Sequence, residues 1–211
     1  MKKIGIFGTS GFAREVADIA SDLGFHTILI AKDQGELDAY GFEGEIVLER
    51  DLGQLGDIAL AIGVGENAIR QKIASRYSSQ KRFANLIHPS ATFGKGQRAR
   101  IDAAQGVIVC AGVRFTNNIY VGDFSIFNLN ATIGHDVVVE DFVNVAPGAT
   151  ISGNVHLRTR CWIGTGAAIN QGTNESKLEI GPDTVIGSGS VVVKNCEGNA
   201  IYVGIPARRI K

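Results

Sequence analysis

Asn117, His135 and Gly153 stand 18 residues apart, and His135 is followed at once by Asp136. An imidazole beside a carboxylate is a pairing used in general-base catalysis. The carboxylate accepts from one ring nitrogen, fixes the tautomer and raises the basicity of the other. Glycine has no side chain to block its backbone N–H, so the Gly153 amide could donate to a thioester carbonyl and to the oxyanion that forms from it. On the His-Asp pair alone, a solvated histidine is the simpler reading of His135. The spacing is what ties the three positions together.

The remaining candidates carry less. His88 precedes Pro89 and reads as a structural polar contact, His26 lies in a loop, and His156 does not share the spacing of His135. A metal site needs several such ligands converging, and that spacing is absent, so no metal is expected. Cys110, Cys161 and Cys196 are odd in number and lack CxxC spacing, which fits small apolar core residues rather than disulfides or zinc ligands. None falls on the His135 spacing, so no covalent cysteine intermediate is expected.

In the N-terminal half, Gly8-Thr9-Ser10-Gly11 lies between a strand pattern and a helix pattern. Glycines there permit close backbone approach, and a helix N-terminus offers free N–H groups to a phosphate. GxxG falls short of the dinucleotide fingerprint, and a plain tight turn explains it as readily. Two further loops, Lys32-Asp33 and 63–67 beginning with Gly63, fall at the same carboxyl edge, where parallel sheets bind ligands. Three converging loops favour a nucleotide pocket.

These residues need elements to hold them. Residues 3–7, 27–31 and 58–62 read as strands, and 12–23 and 67–76 as helices stopped or flanked by glycine. Alternating strand and helix implies a small parallel sheet, a Rossmann-like half domain over 1–85 that is too short for a full dinucleotide fold. From 86 to 211 the helical period gives way to a period of six. Aliphatic residues or Phe occupy 109, 115, 121, 127, 133, 139, 145, 151, 157, 163 and 169, and each is followed four places later by a small or β-branched residue. The register slips by five and resumes at Ile180, Ile186 and Val192, with looser matches at Ile87 and Phe93. A strict period of six is the signature of a hexapeptide-repeat parallel β-helix, three hexads to a triangular coil. Residues 18 apart then stack at one corner, which puts Asn117, His135 and Gly153 in one column. The slip throws a loop around 173–178 out of the coil, for binding or subunit contacts. The segment 201–211 leaves the repeat and caps the open end.

Lys+Arg and Asp+Glu balance at 21 each, so no overall field recruits nucleic acid or an anionic membrane. Hydrophobic residues are 45% of the chain, yet no apolar run approaches the ~20 residues of a membrane helix. Met1-Lys2-Lys3-Ile4 leads into a strand pattern without the features of a secretory signal, so a cytoplasmic address is expected.

The whole chain resembles the hexapeptide-repeat sugar acyltransferases, nearest to those that N-acetylate nucleotide-linked 4-amino-sugars such as UDP-N-acetylbacillosamine precursors, with sialic-acid O-acetyltransferases as relatives. The resemblance is carried by Ile6-Phe7-Gly8-Thr9-Ser10-Gly11, Ala61-Ile62-Gly63 with Ile69-Arg70, Leu86-Ile87-His88-Pro89-Ser90-Ala91, Gly134-His135-Asp136 and Val203-Gly204-Ile205-Pro206-Ala207. It implies an α/β Rossmann-like subdomain followed by a left-handed parallel β-helix. It also implies a homotrimer with three sites between subunits, using acetyl-CoA and a sugar nucleotide. It implies that His135, oriented by Asp136, deprotonates the acceptor amine. The donor is expected along Gly153, Thr165 and Ser188, with Gly204, Ile205 and Pro206 near the adenine. Asn128 lies beside the acceptor, and the nucleotide sits on Gly8, Thr9, Ser10, Gly11, Lys32, Asp33 and Gly63. Asn144, also assigned to the cofactor side, stands where the bacillosamine enzymes have a histidine, as does Phe12. The expected reaction is acetyl transfer to the 4-amino group of a UDP- or dTDP-linked sugar for surface polysaccharide or glycan synthesis. The alternatives are O-acetylation of sialic acid or another sugar, and a non-catalytic partner that binds a sugar nucleotide.

Overall fold

The computed structural model describes residues 2–41 and 43–211; Met1 and Phe42 lie outside the described residues. The N-terminal part is a four-stranded, wholly parallel sheet of β1 (Lys2–Phe7), β2 (Phe25–Ala31), β3 (Glu45–Leu48) and β4 (Ala59–Ile62), in the order β3-β2-β1-β4. The order reverses direction between β1 and β4, and this opens a crevice at their carboxyl ends. Helix α1 (Gly11–Asp22) buries Ala13, Val16, Ile19 and Ala20 on one stripe and stops at Gly24, whose φ of 81° is glycine's natural territory. Helix α3 (Asn67–Tyr77) follows β4. The short edge strand β3, the single-turn helix α2 (Gln34–Asp38) and the 3-10 stretch Glu49–Leu55 lie between the strands that the periodicity marks.

From Leu86 onward the chain winds as a left-handed β-helix with three faces of short parallel strands. Thr132-Ile133 pairs with Arg114-Phe115 below and Thr150-Ile151 above, the register the six-beat pattern implies. Both marked residues of each hexad point inward: Ile133, Val137, Val139, Val143 and Val145 are all at most 1% exposed. The corner falls between them, where Asn118, Asn130, Asp136, Phe142 and Asn154 take left-handed φ values of 56° to 60°. The small inward residue sits just beyond each bend. The slip is also present: Val155 pairs with Leu178, and the extra residues leave the coil after Gly172.

The first coil departs from the repeat. Leu86 pairs with Ile108 and Thr92 with Arg114, and helix α4 (Gln97–Asp102) replaces a third strand. The Gln97 side chain substitutes for a strand, donating to the Ile119 carbonyl at 2.8 Å and accepting from its N–H at 2.9 Å. At the other end, Ile201–Val203 joins the first face, and Arg208–Arg209 folds back against it, with a cis peptide at Ile205-Pro206 between them. Only the end of the segment 201–211 leaves the repeat to close it off; Ile201–Val203, expected outside the repeat, still belongs to the ladder. Among the described residues, no helix is long and apolar enough to cross a membrane.

The two parts are joined by Arg70, whose side chain is fully buried. Among the described residues its guanidinium forms no ion pair at contact distance, with the Glu66 carboxylate acting on it only from farther off. It donates to the carbonyls of Phe124 (2.7 Å) and Phe142 (2.7 Å) on the β-helix and of Val64 and Gly65 on its own side, and to Asn67 Oδ1. Burial pulls its pKa down to about 9, which still leaves it charged at neutral pH. Asn67 adds a bond from its amide to the Arg160 carbonyl at 2.7 Å. Replacing Arg70 by Met orphans several buried carbonyls, so Arg70→Met is expected to lose about 2–4 kcal/mol in denaturant unfolding. Arg70→Lys should recover only part, because an ammonium cannot span the fork. An unchanged unfolding midpoint would contradict this reading of the seam.

Candidate active site

The corner column is assembled by the ladder itself. Asp136 N–H donates to the Asn117 carbonyl and Asn154 N–H to the His135 carbonyl, so Asn117, His135 and Gly153 lie one above another on the edge between the second and third faces. Two glycines make the edge tight enough. A Cβ on Gly134 would come within 2.6 Å of the Gly153 nitrogen, and a Cβ on Gly153 within 2.4 Å of His135 Nε2. The imidazole therefore lies flat over a glycine of the coil above, in space that any side chain would fill.

His135 Nδ1 is 2.7 Å from Asp136 Oδ2. An ionised carboxylate can only accept, so Nδ1 carries a proton, and in the neutral ring Nε2 is the nitrogen with the lone pair. The Asn118 amide, and then His135, hold the Asp136 carboxyl below the usual carboxylate range, which keeps it ionised. The left-handed φ of 60° at Asp136 turns its carboxylate back toward the preceding ring. Among the described residues no acceptor takes the Gly153 N–H, because the ladder skips this corner position. Base and amide donor thus share one edge, the imidazole exposed and the Gly153 backbone buried beneath it.

The other expected residues fall in two further places. Thr165 and Ser188 are exposed and adjacent in the stack on a different edge, between the first and second faces, where Gly189 N–H donates to the Thr165 carbonyl at 2.8 Å. Gly204 continues that line, tied to Ser190 Oγ at 3.1 Å, and Ile205 is, among the described residues, the most exposed large apolar one at 76%. Within one chain these donor-side positions are separated from His135 by the full width of the second face. Asn144 and Asn128 are not brought to either edge. Asn144 is 1% exposed, and its amide donates to the Gly65 carbonyl at 3.1 Å and its Oδ1 accepts from Asn128 at 3.4 Å. The N-terminal domain covers the first face, so the assignment of Asn144 to the cofactor side is corrected: it belongs to the seam between the two parts.

At the crevice of the small sheet, Gly8 has a φ of 104°, and a Cβ there would press on the Gly63 carbonyl at 3.1 Å. A Cβ on Gly63 would meet Ala13 Cα at 2.6 Å, so both glycines are needed for the β1 loop, the β4 loop and α1 to meet. A pocket of about 220 Å³ opens here, lined by Gly8, Ser10, Lys32, Glu36, Val64 and Ile69 among others. Gly11 starts α1, with Ser10 as an extended N-cap whose hydroxyl makes no capping bond. Thr9 turns inward, its hydroxyl donating to Glu36 Oε1 at 2.8 Å, while the exposed Asp33 caps α2 by accepting from the Glu36 N–H at 2.9 Å. Glu36, whose Oε2 also takes the Lys32 N–H at 2.7 Å, and Glu49 are pocket carboxylates that sequence reasoning missed. The signal for Glu36 was the Asp33-x-x-Glu36 spacing of a capping box.

His26 pairs with Glu45, His88 with Asp22 and Ser90, and His156 with Glu140. Among the described residues, no group of three or more His, Cys, Asp or Glu side chains is arranged to hold a metal ion. Cys110, Cys161 and Cys196 are all buried, and burial pushes their thiols up, to about 12 for Cys110 and about 11 for Cys196.

Comparison with known proteins fits this geometry. Residues 3–77 match the PglD N-terminal domain family. A curated relative, GDP-perosamine N-acetyltransferase of Escherichia coli O157:H7, is 36% identical over 106 residues, covering 50% of this chain and 48% of that protein. The chain spans about half the length of the curated relatives it matches. Among solved structures, WeeI from Acinetobacter baumannii AYE superposes with a TM-score of 0.84 at 29% identity, covering 100% of both chains. The acetyltransferase domain of PglB from Neisseria gonorrhoeae FA1090, in complex with acetyl coenzyme A, gives 0.85 at 26% identity over 99% of each chain. The curated relatives bear the names of acetyltransferases, and this chain is similar to them over part of their length.

Two outcomes follow from the local geometry. Gly153 does not occupy the left-handed region, so Gly153→Ala should fold, but its methyl group should displace the His135 ring from Asp136. Histidine ¹⁵N spectra would read this as loss of the single Nδ1–H tautomer; an unchanged spectrum would refute the packing. A disulfide reagent at pH 8 should modify none of the three cysteines until denaturant is added, because desolvation keeps them as thiols. Rapid labelling of the native protein would contradict their burial.

Proposed function

We propose that this homologue of hexapeptide-repeat sugar acetyltransferases, with its PglD N-terminal domain, transfers the acetyl group of acetyl-CoA to the amino group of a nucleotide-linked amino-sugar. The 4-amino position of a UDP-, dTDP- or GDP-linked deoxysugar is the assignment best supported. The observation that carries the reading is the exposed His135–Asp136 pair lying against the bare Gly153 backbone. The name of the curated relative supports an amino-sugar acceptor, and it adds GDP to the nucleotides to be tried.

In the proposed reaction the amine attacks the thioester carbonyl carbon while His135 Nε2 takes its proton. Asp136 balances the imidazolium that results. The oxyanion of the tetrahedral intermediate is held by the Gly153 N–H, a donor already aimed and already free of the ladder. The C–S bond then breaks, and the proton on His135 passes to the departing thiolate, so the base returns to its starting state. The buried cysteines take no part.

The donor-side edge of Thr165, Ser188, Gly204, Ile205 and Pro206 and the His135 edge are one face apart within the chain. A second copy that lays its Thr165 edge against His135 would complete the site, which is why a homotrimer with sites between subunits belongs to this proposal. The domain division at 85/86 belongs to it as well. The nucleotide is assigned to the crevice of Gly8, Ser10, Gly11, Lys32 and Gly63, with Glu36 as the carboxylate for ribose hydroxyls. A cytoplasmic setting, where acetyl-CoA and sugar nucleotides are made, goes with this reading.

The test is coenzyme A release in the presence of 4-amino-sugar nucleotides of each base, with sialic acid and simple sugars as competitors. His135→Ala should keep assembly and acetyl-CoA binding while losing about 10²–10⁴ in turnover. Wild-type turnover in that variant would remove His135 from the chemistry. Turnover only on hydroxyl acceptors would replace N-acetylation by O-acetylation, and none on any acceptor would favour a non-catalytic binder.

A further inference from the structure

The five residues that break the six-beat register do not hang free. Gly172 N–H donates to the Gly153 carbonyl at 3.1 Å, and Leu178 N–H to the Asn154 carbonyl at 3.0 Å, so both ends of the excursion are fixed to the turn directly above His135. The Asn154 amide donates to Asn174 Oδ1 at 3.1 Å. The loop closes on itself between Thr173 and Ser176, through Thr173 N–H to the Ser176 carbonyl at 2.8 Å and Ser176 N–H to Thr173 Oγ1 at 3.0 Å. From this rigid base the Lys177 side chain reaches down past the Asn154 turn, and its ammonium donates to the backbone carbonyl of Asp136.

That carbonyl sits on the left-handed corner and has no other donor among the described residues. The ammonium therefore satisfies the one backbone group that the bend at Asp136 leaves over. It also places a positive charge beside the carboxylate that orients the histidine. The groups facing Asp136 are His135, Asn118 and Lys177, and Lys177 is the only fixed charge of the three.

We propose that the excursion at 173–177 is a strap over the active-site corner, and that Lys177 is a positioning residue holding Asp136, and through it His135, with Nε2 free to accept a proton. The inference rests on the acetyl-transfer reading of His135 given above. Lys177 does not touch the reacting atoms. It fixes the turn from which the orienting carboxylate projects, and a loosened turn lets the imidazole rotate or exchange tautomers.

The test compares Lys177→Met and Lys177→Arg in the full chain. Lys177→Met removes the donor and keeps the aliphatic stem, and the remaining strap bonds keep the fold; thermal unfolding checks this. The expected result is a kcat lower by about 10- to 100-fold, the scale of a misplaced catalytic group, with KM for both substrates within about two-fold. Lys177→Arg should restore most of the loss. The histidine ¹⁵N spectrum should pass from one Nδ1–H tautomer in the native protein to a mixture in Lys177→Met. A Met variant with native kcat and a native spectrum overturns the proposal. So does a rise in KM alone, which would make Lys177 a substrate contact. If the native protein transfers no acetyl group at all, the functional reading fails, while the tautomer comparison still decides whether Lys177 positions His135.

Discussion

Each corner of the coil turns a backbone carbonyl away from the ladder, and the chain must find a donor for those it buries or uses. The left-handed bend that lets a six-residue repeat close a triangle carries this cost every time. On one edge the cost is met by the N-terminal domain: Arg70 takes the carbonyls of Phe124 and Phe142, and Asn67 takes that of Arg160. On the next edge Lys177 takes that of Asp136. The same leftover group thus fastens one domain to the other and steadies the corner that carries the histidine. The choice of Arg70 makes sense in these terms, since a planar fork with five donors suits a set of carbonyls better than any neutral side chain.

Stacking does the rest. Parallel coils about 4.8 Å apart hold each residue at a fixed height above its counterpart. Gly134 lets the coils meet closely at this corner, and Gly153 opens room for the ring. A base, its orienting carboxylate and an unpaired amide are then placed by the backbone, with Lys177 as the one long side chain that braces the turn. Such a site costs little rotamer entropy when a substrate binds, which is the condition for electrostatic preorganisation. The crevice of the small sheet is built the same way, from glycines that bring two loops and a helix together.

Much of this was legible in the residues. The six-beat pattern determines which side chains point inward, and the five-residue slip locates the loop, because both follow from one geometric rule. The stripe of Ala13, Val16, Ile19 and Ala20 marks α1 for the same reason. What escaped was whatever does not repeat. Helix α4 enters where Gln97 imitates a strand with a side-chain amide, and periodicity is blind to that substitution. The strand Glu45–Leu48 is short and only half-buried, too weakly patterned to stand out. Arg70 stood out in the sequence only as part of a family resemblance; its burial depends on contacts more than 50 residues away. Asn144 entered through the family resemblance, and its burial in the seam depends on a second domain that covers that face of the coil. Glu36 was hidden by its neighbours, since Lys32 and Asp33 looked like the pocket and Asp33 proves to be its helix cap.

The central claim is that coil stacking delivers His135 and the Gly153 amide to the two ends of one reacting group. A crystal structure of the assembled protein with coenzyme A and an amino-sugar nucleotide measures this directly. The account expects the acceptor nitrogen within about 3.2 Å of His135 Nε2. It expects the sulfur end of the pantetheine beside Gly153, with Thr165 and Ser188 of a neighbouring copy along its length. An acceptor amine bound away from His135, or pantetheine running along an edge that lacks Gly153, would contradict it.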